Sequence, residues 1–183
     1  IPKLKVLSID IETNAKASEI YSISLYSKDY KKVIINSDKK LKNAISCSSE
    51  EEVLETFQER VKELDPDIIT GWHVIDFDFV VLNKRFKKYN MPFSLVRNNS
   101  ASKIKTNNSF FRASSAYISG RMILDGISLL KSSFIKLPSY KLDNVANHYL
   151  DEKKLIQFKD KTKEITEMFK KKPQKLVNYN LKD

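Results

Sequence analysis

Cysteine is almost missing from this chain: Cys47 is the only one in 183 residues. One thiol cannot build an intramolecular disulfide framework, so a stapled scaffold is excluded, and such sparing use suits a reducing compartment. No run of about 18 apolar residues occurs, the length a helix needs to cross a bilayer. The N-terminus reads Ile1-Pro2-Lys3 and passes straight into a strand-like pattern, without the organisation of a secretory signal. It also lacks an initiator Met, from which we expect a processed chain or a piece of a longer one. No internal repeat is visible. Acidic residues are missing from one long stretch, Phe79 to Leu124.

Hydrophobic residues make up 41% of the chain and charged residues 31%, an ordinary globular composition that excludes disorder of the whole chain. The length fits about one domain. The net charge is +10, and its distribution is uneven. The acid-free stretch holds nine basic residues, namely Lys84, Arg85, Lys87, Lys88, Arg97, Lys103, Lys105, Arg112 and Arg121. Glu50 to Asp67 instead carries eight acids against Arg60 and Lys62. One-sided basic character is the footprint of a polyanion partner, since neutralised phosphates release counterions. The plainer alternative is a solvated lysine-rich surface.

Lys3 to Ile11 reads as a strand buried on both faces and central in its sheet. Ile20 to Tyr26 and Lys32 to Asn36 read as two more strands, and their short links favour antiparallel neighbours. Glu50 to Leu64 has Val53, Leu54, Phe57, Val61 and Leu64 at helical spacing, a core-facing stripe. Ser48 or Ser49 would cap it and Asp65-Pro66 would end it. A short strand at Asp67 to Gly71 leads to a helix over Asp76 to Tyr89. Asn98 to Ser115, rich in Ser and Asn, reads as a loop or hairpin. Arg121 to Asp125 returns as a strand. Helices follow at Gly126 to Ser132, Tyr140 to Tyr149 and Lys161 to Lys171, and Pro173 opens a last one running to Asp183. Alternating strands and helices point to an α/β class with a mixed sheet.

Asp10 and Glu12 stand two apart on the first strand, so both project from one face. Two neighbouring acids repel each other and cost desolvation, which a divalent cation relieves; a strand end that reaches water is the alternative. Asp76 and Asp78 fall at a helix start, where acids also suit the dipole. Tyr179 and Asp183 lie one turn apart on a single helical face. Taken together, these elements could converge on two Mg²⁺ ions. Paired ions about 4 Å apart clamp an in-line displacement at phosphorus. The chemistry would be phosphodiester hydrolysis, with the Tyr hydroxyl orienting the attacking water.

The same residues carry a family pattern. Leu7-Ser8-Ile9-Asp10-Ile11-Glu12-Thr13 resembles the first exonuclease motif of family B DNA polymerases. The segment from Asp67 through Gly71-Trp72-His73 to Phe77-Asp78 resembles the second, and Tyr179-Asn180-Leu181-Lys182-Asp183 the third. Gly120 to Gly126 and Ser139 to Leu142 are similar to intervening segments of the same domain. The resemblance covers nearly the whole chain, 1–183. It implies an RNase H-like fold with a mixed central sheet flanked by helices, and 3′→5′ proofreading exonuclease activity of the DEDDy type. Carried over residue by residue, Asp10, Glu12, Asp78 and Asp183 would hold two divalent cations, Mg²⁺ or Mn²⁺, and Tyr179 would place the water. The Phe-Asp wording selects Asp78 over Asp76. The family commonly has Asn where His73 stands, a departure that touches substrate contacts rather than the metal site.

The implied partners are a single-stranded or frayed DNA 3′ end and the rest of a polymerase chain, in the cytoplasm at the nucleoid, with no membrane. Palm, fingers and thumb are not in this sequence. Because the chain stops inside the third motif, Asp183 is expected to be poorly positioned. Thr13 and Asn14 follow the first motif and are candidates to touch the terminal nucleotide. Arg97, Lys103, Lys105 and Arg112 are candidates to meet phosphate, and Phe110, Phe111 and Tyr117 to stack on bases. Asp125 reads as an N-cap and Trp72 as core. Two other functions compete: a catalytically silent nucleic-acid-binding domain and an RNA-trimming nuclease. Loss of cleavage in Asp10→Ala tests the first, and RNA against DNA substrates the second.

Overall fold

A computed structural model describes residues 2–98, 100–106, 114–150 and 160–182. Its frame is a six-stranded sheet in the order β4-β3-β2-β1-β5-β8, with a separate β6-β7 pair. β1 (Val6–Thr13) lies between β2 (Ile20–Tyr26), which is antiparallel to it, and β5 (Ile68–Gly71), which is parallel. β3 (Lys31–Asn36) pairs antiparallel with β2. β4 (Ala44–Cys47) and β8 (Met122–Asp125) form the two edges, both in parallel pairing. The sheet is therefore mixed, with the first strand central, as the sequence leads one to expect. β1 starts at Val6 rather than Lys3, where pairing to Ile68 begins.

The two faces of β1 carry different chemistry because side chains alternate along a strand. Leu7, Ile9 and Ile11 point into the larger apolar cluster, with Val53, Leu54, Phe57, Phe79 and Leu82. Those partners come from α1 (Glu50–Leu64) and α2 (Asp78–Lys88). Ser49 caps α1 by accepting from Glu52 N, while Glu52 reaches back to Ser48 N, a reciprocal cap. Three glutamates fill its first turn, and Asp65 ends it in the left-handed region at φ 45°.

Ser8, Asp10 and Glu12 take the opposite face. There α5 (Lys161–Lys171) and α6 (Pro173–Asn180) pack Ile165, Met168, Leu176, Val177 and Tyr179 onto Tyr21, Val33 and Ile35. α3 (Gly126–Ser132) follows β8, and α4 (Leu142–Leu150) follows α3. Asp125 is the N-cap expected of it, accepting from Ser128 N at 3.0 Å. β6 (Lys103–Lys105) and β7 (Ser115–Tyr117) make an antiparallel pair, so strand pairing begins within the Ser/Asn stretch.

Several expectations shift. β4 has no counterpart in the sequence reading. α2 starts at Asp78, two residues late, because the chain first turns through His73 at φ 61°. α6 ends at Asn180. Trp72 is half-buried rather than core. Its Nε1 donates to Tyr140 O at 3.1 Å, and its ring lies on Gly126, where a Cβ would stand 2.8 Å from Cε3.

Candidate active site

The carboxylates gather where β1 and β5 end at their C-terminal sides, the customary ligand position of an α/β sheet. Asp10, Glu12 and Asp78 all line one cavity of about 580 Å³. Thr13, Asn14, Trp72, His73 and Phe77 share its wall, and Tyr140, Lys141 and Lys161 face it from the helical side. Asp10 is half-buried, whereas Glu12 and Asp78 are 4% and 2% exposed. Thr13 and Asn14 follow a register shift in the β1-β2 ladder between Glu12 and Thr13.

Asp78 sits in the first turn of α2, and its Oδ1 accepts from Ile11 N at 3.0 Å. That bond ties the helix start to the main chain between Asp10 and Glu12. Burial pushes the Asp78 carboxyl well above the usual carboxylate range; the Asp10 charge adds to this, and Glu12 contributes further. The Ile11 bond acts the other way and is outweighed. Asp76 is exposed and does not line this cavity, whereas Asp78 does. Among the described residues, no three His, Cys, Asp or Glu groups close on one point as a ready-made metal cage. Asp183 lies outside the described residues.

Tyr179 is 1% exposed within the α5-α6 cluster, and the Lys161 ammonium stands 5.6 Å from its ring centroid. Lys161 thus connects the buried phenol to the cavity it lines. Asn180, which the sequence reading passes over, is also buried. Its Nδ2 donates to Asp10 Oδ2 at 2.7 Å, and its Oδ1 accepts from Ser22 Oγ at 2.8 Å. The available signal was the serines at alternate positions of an otherwise apolar β2. Ser24 pairs with Asp10 and Ser22 with Glu12.

The basic stretch divides. Lys103 and Lys105 are exposed on β6, with Tyr117 directly across from Lys103 and 65% exposed. Arg112, Phe110 and Phe111 lie outside the described residues. The structure does not bring Arg97 to the carboxylates. Its guanidinium bonds Asp65 at 2.7 Å and Asp67 at 2.9 Å, near the N-terminal end of β5 and beside a second cavity. Arg121 bonds Asp65 at 2.8 Å. Arg85 is consumed in the interior by Glu50. Sequence separation hides such pairs: each arginine finds its acid 30 or more residues away in the chain.

Residues 1–145 match the family model of the DNA polymerase family B exonuclease domain. DNA polymerase II of Escherichia coli (strain K12) is 36% identical over 193 residues, covering 100% of this chain and 24% of that protein. The DNA polymerase delta catalytic subunit of Caenorhabditis elegans is 32% identical over 123 residues, 61% of this chain and 11% of its own length. A DNA polymerase of Thermococcus kodakarensis is 32% identical over 149 residues, 78% of this chain and 9% of the relative. The chain thus spans a quarter or less of the curated relatives named here. The match over most of the chain and the mixed sheet with its acidic end agree, and the chain belongs to the 3′→5′ exonuclease domain family of the family B DNA polymerases.

Proposed function

We propose that this domain hydrolyses the terminal phosphodiester bond at DNA 3′ ends, with Asp10, Glu12, Asp78 and Asp183 holding two divalent cations, Mg²⁺ or Mn²⁺. The observation that supports this is three carboxylates lining one cavity, where burial first, and then the charges of Asp10 and Glu12, raise the cost of ionising Asp78. Hard carboxylate oxygens, buried and repelling one another, match what Mg²⁺ prefers. When bound, the ions would supply an activated water and charge stabilisation at the leaving 3′ oxygen. The protein's own parts do the rest. The Ile11 N–H fixes the Asp78 carboxylate. Tyr179 is the residue to orient the water, with Lys161 against its ring. Thr13 and Asn14 would hold the terminal nucleotide at the cavity wall. Lys103 and Lys105, exposed on β6, are the better phosphate candidates, with Arg112; Arg97 would first have to leave Asp65 and Asp67.

In this reading residues 1–183 form one exonuclease domain whose partners are a single-stranded or frayed DNA 3′ end and the remainder of a polymerase chain, in the cytoplasm at the nucleoid. No helix among the described residues is long and apolar enough to cross a membrane. A second reading, a silent DNA-binding domain, draws on the missing ready-made cage among the described residues.

Digestion of a 3′-labelled single-stranded DNA with Mg²⁺ or Mn²⁺, then with EDTA, separates the two. Release of the 3′ label that EDTA stops and that Asp10→Ala lowers by about 10³-fold is expected, since losing one ligand removes an ion from the displacement. DNA binding without metal-dependent cleavage would favour the silent domain.

A further inference from the structure

We infer that Asn180 is a positioning residue that fixes the Asp10 carboxylate for cation binding, with Ser22 setting the orientation of its amide. The inference rests on the exonuclease reading above. An ionised carboxylate only accepts hydrogen bonds, so the group facing Asp10 Oδ2 at 2.7 Å must be the Asn180 NH₂. The amide oxygen then points the other way, to the Ser22 hydroxyl at 2.8 Å. Nδ2 also lies 3.4 Å from the Asp10 main-chain oxygen, and Ser24 Oγ reaches the same oxygen at 3.4 Å. The Asp10 side chain and its own peptide are therefore held from one side by one planar group.

The surroundings make this amide hard to rotate. Asn180 and Ser22 are 1% and 0% exposed, and a flipped amide would set its oxygen against the Asp10 carboxylate oxygen, two acceptors face to face. Asn180 is also the last residue of α6, directly after Tyr179. The bond that orients Asp10 thus also fastens the end of the helix carrying the third motif. Groups that orient ligands in this way typically change metal affinity or activity 10- to 100-fold when removed.

The test is Mn²⁺ binding, followed by loss of the free-ion electron paramagnetic resonance signal, alongside cleavage of single-stranded DNA. Asn180→Ala is expected to weaken Mn²⁺ binding about 10- to 100-fold and to raise the half-saturating metal concentration for cleavage in parallel, while KM for DNA at saturating metal stays unchanged. Ser22→Ala keeps the amide but frees its orientation, and is expected to shift the same quantities in the same direction by a smaller factor. Parental Mn²⁺ affinity in both variants, or a rise in KM for DNA with metal binding intact, would overturn the inference. Asp10→Ala serves as reference. If the parent protein itself neither binds Mn²⁺ nor cleaves, the exonuclease reading fails and this inference falls with it. If the parent binds and Asp10→Ala does not, parental affinity in Asn180→Ala sinks the positioning role alone.

Discussion

Asp78→Asn is expected to melt at a higher temperature than the parent protein in metal-free buffer and to cleave no DNA. Asparagine keeps the Oδ1 acceptor for Ile11 N and removes only the charge. Burial, with Asp10 and Glu12 nearby, raises the folded-state pKa of Asp78 above its unfolded value. The folded state therefore binds the proton more tightly, and this site lowers stability as pH rises through the raised value. Below the unfolded pKa, in the ordinary carboxylate range, parent and variant should be equally stable with respect to this group. Above the raised folded-state value the full difference appears, read as a melting temperature several degrees higher in the variant. Saturating Mg²⁺ should raise the melting temperature of the parent and leave the variant where it was. Thermal melts across pH, with and without Mg²⁺, give the answer. A variant that melts lower than the parent at neutral pH without metal would refute the charge argument.

Arg85→Ala should be among the most damaging substitutions away from the site. Glu50, 5% exposed, accepts from Arg85 Nε at 2.7 Å, Arg85 Nη2 at 2.6 Å, Ile20 N at 2.8 Å and Tyr89 OH at 2.9 Å. Removing the guanidinium leaves a buried carboxylate without its counter-charge, a loss of about 3 to 5 kcal/mol. Glu50→Leu combined with Arg85→Met should cost less than Glu50→Leu alone, because no orphaned charge remains, although Ile20 N and Tyr89 OH still lose their acceptor. The pair also has a pH signature. Burial alone would raise the Glu50 carboxyl, but bonds from Arg85, Ile20 N and Tyr89 outweigh it and hold it below the usual value. A carboxylate lowered in this way contributes stability above its unfolded pKa, and that contribution fades as pH falls through the folded value. Urea titrations of the single and double variants at neutral and acid pH measure both effects. A double variant as unstable as Arg85→Ala would show that packing, not the ion pair, carries the energy.

The parts of this molecule that depend on near neighbours in the chain were readable. The α1 stripe from Val53 to Val61 needs only helical spacing. The Asp10/Glu12 pair needs only strand alternation, and the Asp125 cap only the residue type at a strand-to-helix turn. The parts that depend on distant partners were not. β4 is four residues, Ala44–Cys47, and becomes a strand because β3 offers it an edge. Arg97 read as a candidate for DNA and Arg85 as part of the same basic stretch, yet each finds a carboxylate that sequence distance conceals. Asn180 stood inside a recognised motif, but its value lies in Asp10 and Ser22, which come from two strands far away in the sequence.

The sheet separates two apolar clusters of unequal size. Among the described residues, twenty-three buried side chains lie on the α1-α2 side and eight on the α5-α6 side. The smaller layer shares its face of the sheet with Ser8, Asp10, Glu12, Ser22 and Ser24, which offer it little apolar surface. Cooperative opening should therefore start there, with α5 and α6 detaching while the remaining sheet keeps its order. Amide hydrogen exchange would show this as lower protection in α6 than in β1 and β2; equal protection would mean one unit. Tyr179 and Asn180 leave with that layer. If Tyr179 and Asn180 act as proposed, the fold would persist in a form unable to act, and the fraction of molecules ready for a 3′ end would be set by how firmly one thin helical layer stays docked.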